Sequence, residues 1–203
     1  MVSLMKDHRE AFVAVHLRQS RDILERAAET PEFIAAVVAI ADAIALSLRA
    51  GGKLLIAGNG GSAADAQHIA GELLGRLNFD RNPLPAVALT ADPSVLTAIA
   101  NDYGFEHVFE RQVRGLGKPG DVFLAISTSG RSPNILAALK AARAAAVKTI
   151  GFTGSAGEIK ALCDLCLAVP SDQTQQIQQA YMVAAHAICG LVEQDLCTPA
   201  KAR

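Results

Sequence analysis

The sequence predicts an α/β fold, a doubly wound parallel sheet of five strands flanked by helices and preceded by a helical N-terminal extension. Two observations predict it. Apolar runs at 53–57, 85–90, 121–127, 147–153 and 165–169 alternate with segments of helical spacing near 63–77, 92–100, 105–115, 133–146, 156–163 and 173–196. That is the order of strands joined by crossover helices. The runs are also continuously apolar, as in Val122-Phe123-Leu124-Ala125-Ile126, which suits strands covered on both faces. No repeat or low-complexity linker divides the 203 residues. The chain reads as one domain, 1–50 being helices used in oligomer packing and 51–197 the α/β core.

Taken in order, residues 3–24 read as a helix, with Phe12, Val15, Leu17 and Leu24 spaced among charges. Thr30-Pro31-Glu32 is an N-cap with proline at the first helical position, opening a second helix that runs to about residue 50. Ile34, Val37, Val38, Ile40, Ala41, Ile44, Leu46 and Leu48 make that helix apolar nearly all round, which argues for burial, in part against another subunit. Gly51-Gly52 ends it, and the first strand follows at Lys53. That strand runs straight into Gly58-Asn59-Gly60-Gly61-Ser62, and the strand at 122–126 runs into Ser127-Thr128-Ser129-Gly130-Arg131-Ser132-Pro133-Asn134. In such sheets ligands sit beyond the carboxyl ends of the strands, where both loops lie.

Composition narrows the class. Apolar residues are 51% and charged residues 19%, against roughly 45–50% and about 25% in typical domains. The excess predicts a homo-oligomer. A net charge of −1 gives no footprint for nucleic acid or an anionic membrane. No apolar run reaches the roughly 18 residues of a membrane span, and the N-terminus lacks the apolar core of a signal peptide. The expected location is cytoplasmic. Of the four cysteines, Cys163 and Cys166 form a C-x-x-C. A second pair, or two close histidines, is missing for structural zinc, so these read as reduced, half-buried thiols.

The chemistry gathers at four places. The glycine turn after the first strand leaves backbone N–H groups at a positive helix end, suited to a phosphate or a polyhydroxy ligand. Its Gly58-x-Gly60-x-x-Ala63 also fits a dinucleotide pattern, but the acid required about 20 positions on is missing. The serine loop combines hydroxyls, a glycine and a helix start capped by Ser132 and Pro133, a nest for a phosphate monoester. A serine-rich turn serving only as a cap is the alternative. His68 and Glu72, at i and i+4 in a stripe with Asp65 and Arg76, share one helix face as a metal or acid–base pair, or else as a solvated ion pair. From Ile177 to Val192 the final helix is apolar except for Gln178, Gln179, Tyr181 and His186. A polar group buried there without a partner costs roughly 1–3 kcal/mol. Gln178 and His186 are about 80° apart around the axis, so both can lean toward one site. Two imidazoles, a carboxylate and an amide oxygen suit zinc; a core histidine bonded to a carbonyl is the plainer alternative.

GNGGSAADAQHIAGE after a strand, then LTAIANDYGF, ISTSGRSPN, and a last helix with I-Q and a histidine eight residues beyond the glutamine together resemble the sedoheptulose-7-phosphate isomerases (phosphoheptose isomerases) of the sugar isomerase, or SIS, fold. The resemblance spans roughly residues 40 to 195. It implies a flavodoxin-like SIS domain in a homotetramer with active sites between subunits. It also implies conversion of sedoheptulose 7-phosphate to D-glycero-D-manno-heptose 7-phosphate through an enediol, the first step toward the ADP-heptose of lipopolysaccharide. By the same resemblance Asn59, Gly60, Gly61 and Ser62 line the sugar, and Asn101, Asp102, Arg76, Glu72 and Gln178 contact it. Ser127, Thr128, Ser129 and Ser132 hold the phosphate. Glu72 is the implied base and His186 the acid, while His68, Glu72, Gln178 and His186 are the implied ligands of one zinc ion per subunit. The chain departs from the usual I-Q-E-x-H by reading Ile177-Gln178-Gln179-Ala180-Tyr181, which puts the tuning around the metal in question. Two other readings share the fold: a non-catalytic scaffold of the DnaA initiator-associating type, and another sugar-phosphate isomerase or sensing domain. A scaffold has no need of His68, Glu72 and His186 together, which favours the enzyme.

Overall fold

Each apolar run becomes a strand of one sheet. In the computed structural model, which describes residues 2–197, these are β1 (Leu54–Ala57), β2 (Ala86–Ala88), β3 (Val122–Ile126), β4 (Lys148–Thr153) and β5 (Leu165–Ala168). They lie in the order β2-β1-β3-β4-β5, and every neighbouring pair is parallel. Ile56 has Ala88 beside it on one side and Leu124 on the other. The order reverses between β1 and β3, so the loops leaving these two strands turn to opposite faces and open a crevice at their carboxyl ends.

The helices are α1 (Val2–Ala28), α2 (Pro31–Arg49), α3 (Gly61–Leu74), α4 (Pro93–Tyr103), α5 (Val108–Leu116), α6 (Pro133–Ala144), α7 (Ile159–Leu162) and α8 (Thr174–Leu196), with a 3₁₀ turn at Phe105–His107. The pleat sends successive strand residues to opposite faces, yet both faces are apolar. Leu54, Ile56, Leu124 and Phe152 pack with α2, α3 and α8. Leu55, Ala57, Phe123 and Ala125 pack with α5 and α6.

Element ends differ from the sequence expectation where tertiary contacts decide them. α1 continues past residue 24 because Ile23 and Ala27, one turn apart, are both buried. Thr30 does not cap α2; its hydroxyl donates back to the Arg26 carbonyl at 2.7 Å, and the extended Thr30 backbone with Pro31 starts the helix. α3 starts at Gly61 rather than 63 and stops at Leu74, so Arg76 lies beyond its end. The 105–115 segment divides into the 3₁₀ turn and α5.

By length and composition α2 could cross a membrane, with a mean hydropathy of 1.9. Here Ile40, Ala41, Ile44 and Ala45 are buried in the core shared with α8, so much of its apolar surface serves packing. The expected burial all round is not reached within one chain: Ile34, Val38 and Leu46 are exposed, as are Val183 of α8 and Phe12 and Leu17 of α1. Ile34, Val38 and Val183 line one apolar groove between α1, α2 and α8.

Candidate active site

Glycine makes the turn between β1 and α3 possible. Gly60 has φ +56°, a backbone conformation that costs an L-residue roughly 1–3 kcal/mol. A Cβ on Gly58 would sit 2.5 Å from the Ser62 carbonyl oxygen. No side chain caps the start of α3, which leaves this helix end to a ligand. The Asn59 side chain faces sideways. Its Nδ2 donates to Asn134 Oδ1 at 2.9 Å, and Asn134 Nδ2 donates back to Asn59 Oδ1 at 2.8 Å. Asn134 is buried and belongs to the first turn of α6, so this pair joins the two expected ligand loops. The sequence reading missed it as a functional residue; its only mark was a polar residue at the end of the serine loop.

The second loop leaves β3. Ser127 and Ser132 share a hydrogen bond between hydroxyls at 3.0 Å. Ser132 stands at the N-cap of α6 with Pro133 next, but its side chain does not cap the helix. The first-turn N–H groups therefore keep their capacity for an anion. Thr128 is half-buried and Ser129 exposed at the same loop.

α3 and α8 lie side by side and run parallel, pairing Ser62 with Tyr181, His68 with His186, and Leu77 with Glu193. His68 Nε2 is 3.0 Å from Glu72 Oε1 and 2.9 Å from His186 Nε2. His186 Nε2 is 3.9 Å from Glu72 Oε1. One proton at most fits between the two imidazole nitrogens, so lone pairs from three residues converge on one spot. Two nitrogens and a carboxylate oxygen form the three-ligand set of zinc sites that keep a position open, so the residues present fit the ion that the resemblance implies. The two imidazoles are about half-exposed, and Glu72 is mostly covered.

The other expected residues lie around this cluster. Gln178 stands two turns earlier on α8, about 12 Å along the axis from His186. Its Nε2 lies against Gly61, where a Cβ would meet it at 2.5 Å, which puts it at the glycine turn. Asn101 and Asp102 are exposed on the last turn of α4, where Asn101 Nδ2 donates to Asp102 Oδ1 at 2.8 Å. Arg76 is exposed. The structure thus brings His68, Glu72 and His186 together, sets Gln178 by Gly61, and leaves Asn101, Asp102 and Arg76 on the surface. Tyr181, where the chain departs from the usual pattern, turns to the glycine loop: its hydroxyl meets Asp65 and Ser62.

A buried clamp that the sequence reading missed holds the two helices in place. The Arg81 and Glu193 side chains, 2% and 0% exposed, pair at 3.0 Å. Arg81 also donates to the carbonyls of Glu72 at 2.8 Å and Leu73 at 2.7 Å, which ends α3. Glu193 accepts from the backbone N–H of Leu77 and Asn78. Burial pushes the Glu193 carboxyl up, but these N–H donors and Arg81 outweigh it and hold it below the usual carboxylate range. Glu193 lies seven residues after His186, on the same face of α8. Its signal in the sequence was an acid directly after the apolar pair Leu191-Val192 of α8. All four cysteines are free thiols, and burial pushes Cys163 and Cys189 up to about 12, which makes both inert.

The SIS domain family model matches residues 16–154. A phosphoheptose isomerase of Bradyrhizobium sp. (strain ORS 278) is 54% identical over 198 residues, spanning 97% of this chain and 100% of its own. The solved phosphoheptose isomerase of Neisseria gonorrhoeae superposes with a TM-score of 0.86 at 42% identity, covering 91% of this chain and 98% of that one. That of Francisella tularensis does so with a TM-score of 0.86 at 37% identity, over 96% and 100%.

Proposed function

We propose, from the premise that this chain belongs to the phosphoheptose isomerase family of SIS-domain enzymes, that it interconverts sedoheptulose 7-phosphate and D-glycero-D-manno-heptose 7-phosphate. Such chemistry is an aldose–ketose isomerisation, and the observation that carries the reading is the convergence of His68, Glu72 and His186 from two helices. The scaffold reading gains nothing from that convergence, and the relatives are named for the enzyme.

In the proposed mechanism, the Ser127–Ser132 loop and the start of α6 hold the phosphate, with Ser127, Thr128, Ser129 and Ser132 as hydroxyl donors. Asn59, Gly60, Gly61 and Ser62 present the glycine turn to the sugar, with Gln178 beside them. Asn101, Asp102 and Arg76, exposed within one chain, are assigned to the sugar across a subunit boundary. The Glu72 carboxylate takes a proton from C1 of the ketose while His186 gives one to the O2 carbonyl, forming an enediol. Glu72 then returns the proton to C2, and His186 takes one from O1 as the aldehyde forms. Reversal of these steps gives the ketose again, so no net proton is consumed. Zinc, which His68, Glu72 and His186 would hold, would supply charge stabilisation for the developing oxyanion when bound. His186 Nε2 faces that cluster, so Nδ1 is the nitrogen assigned the transferable proton, while Gln178, the fourth ligand implied by the resemblance, lies at Gly61.

A coupled assay with sedoheptulose 7-phosphate tests the activity, and elemental analysis of the same preparation tests the metal. The expected result is turnover with about one zinc ion per subunit, and loss of zinc in His186→Ala. Absent turnover overturns the substrate assignment; equally metal-free wild type and variant overturn the zinc site. The exposed apolar face of α1, α2 and α8 supports a homotetramer with sites completed between subunits; a cytoplasmic location belongs to the same proposal. Sedimentation should give about four times the 21.2 kDa chain mass; a monomer would remove the interface assignment.

A further inference from the structure

The geometry points to Tyr181 as a positioning residue that makes Ser62 a hydrogen-bond acceptor for a hydroxyl of the sugar. The inference rests on the isomerase reading for the identity of the ligand, and on a proton count for its direction. The Tyr181 ring is fully buried in the α3–α8 core. Its hydroxyl is 2.5 Å from Asp65 Oδ2 and 3.0 Å from Ser62 Oγ.

A carboxylate has no proton to give, so the phenol's single proton goes to Asp65 in a short, charge-assisted bond. A contact this short between a phenol and a carboxylate needs a proton between them, which the phenol carries. The phenol oxygen also accepts from the Gln178 amide, which leaves its second lone pair for Ser62. The contact with Ser62 must then use the serine's proton, with the phenol oxygen accepting. Ser62 has only that one proton, and it points into the core. What the hydroxyl can offer a ligand is a lone pair.

A lone pair selects its partner. Phosphate oxygens and a ketone oxygen are acceptors, and both are repelled at Ser62. A sugar hydroxyl, which can donate, is welcomed. The glycine turn and the serine loop are both uncapped helix starts able to take an anion, and the Asp65–Tyr181–Ser62 chain breaks the tie. The carbohydrate end belongs at the glycine turn and the phosphate at Ser127–Ser132.

Tyr181→Phe keeps the ring and removes the relay. Calorimetric titration with sedoheptulose 7-phosphate should show Kd raised about 3–10-fold, the worth of one hydrogen bond, while binding of inorganic phosphate is unchanged. Asp65→Ala, which leaves the ring in place, frees the phenol proton to donate to Ser62 and should shift Kd in the same direction. Ser62→Ala should weaken sugar-phosphate binding in the wild type and add little in the Tyr181→Phe background. A Kd unaltered in both Tyr181→Phe and Asp65→Ala overturns the inference, as does a Ser62→Ala effect of equal size in both backgrounds. Equal weakening for inorganic phosphate would mark a merely structural loss and also overturns it. Turnover by the wild type is scored separately, so a failed isomerase assignment and a failed relay give different results.

Discussion

Glu72→Gln is expected to lower kcat for sedoheptulose 7-phosphate by about 10²–10⁴-fold, the usual contribution of a positioned general base. Glutamine keeps the size and shape of the side chain but cannot take the C1 proton. The fold should survive, because the backbone at this residue is held independently: Arg81 grips the Glu72 carbonyl, and the flanking Ile69 and Leu73 remain in the core. KM should change far less than kcat, since the phosphate is gripped elsewhere. The check is a coupled assay on protein whose helical circular dichroism and sedimentation match the wild type. Undiminished turnover in that variant would remove Glu72 from the proton transfer.

Arg81→Ala is expected to reduce the free energy of unfolding by about 3–5 kcal/mol, because it leaves Glu193 charged, buried and short of a partner. The same change releases the carbonyls that end α3, so residual activity should fall as well as stability. A loss under about 1 kcal/mol in urea denaturation would mean that water reaches and solvates Glu193. The acid limb follows the same logic. The folded pKa of Glu193 lies below its unfolded value, so the folded state binds its proton less readily. The resulting stability is fully present above the unfolded carboxyl range, near 4, and is lost as pH falls through the folded pKa. Asp121 and Asp164 act in the same direction. Burial raises both, but hydrogen bonds, from Lys53 and Lys118 in the first case and Thr149 in the second, bring them below the usual value. Stability measured across pH 3 to 6 should therefore drop on acidification, and Glu193→Gln should flatten part of that slope.

Much of this architecture can be read from the chain because its signals are local. The β3 run, the glycine turn and the Ser-Pro helix start each occupy a few consecutive residues, and short-range backbone physics fixes them. His68 and Glu72 are legible for the same reason, since a helix alone brings i and i+4 together. His186 is harder. It lies 118 residues from His68, and only its oddity in an apolar helix marked it. Arg81, Asn134 and the role of Tyr181 were not legible. Arg81 bonds to carbonyl groups, which carry no side-chain pattern, and Asn134 and Tyr181 find partners far away in sequence. The helix Pro31–Arg49 shows the opposite limit. Its apolarity was plain, but the division between core-facing and outward-facing residues depends on how it docks against α8.

The mutual amide grip of Asn59 and Asn134 has a geometric result. Because each side chain is held by the other, the glycine turn and the serine loop are tied together, like the jaws of a locked caliper. In the proposed reading, a sugar phosphate that reaches both loops is gauged by its length.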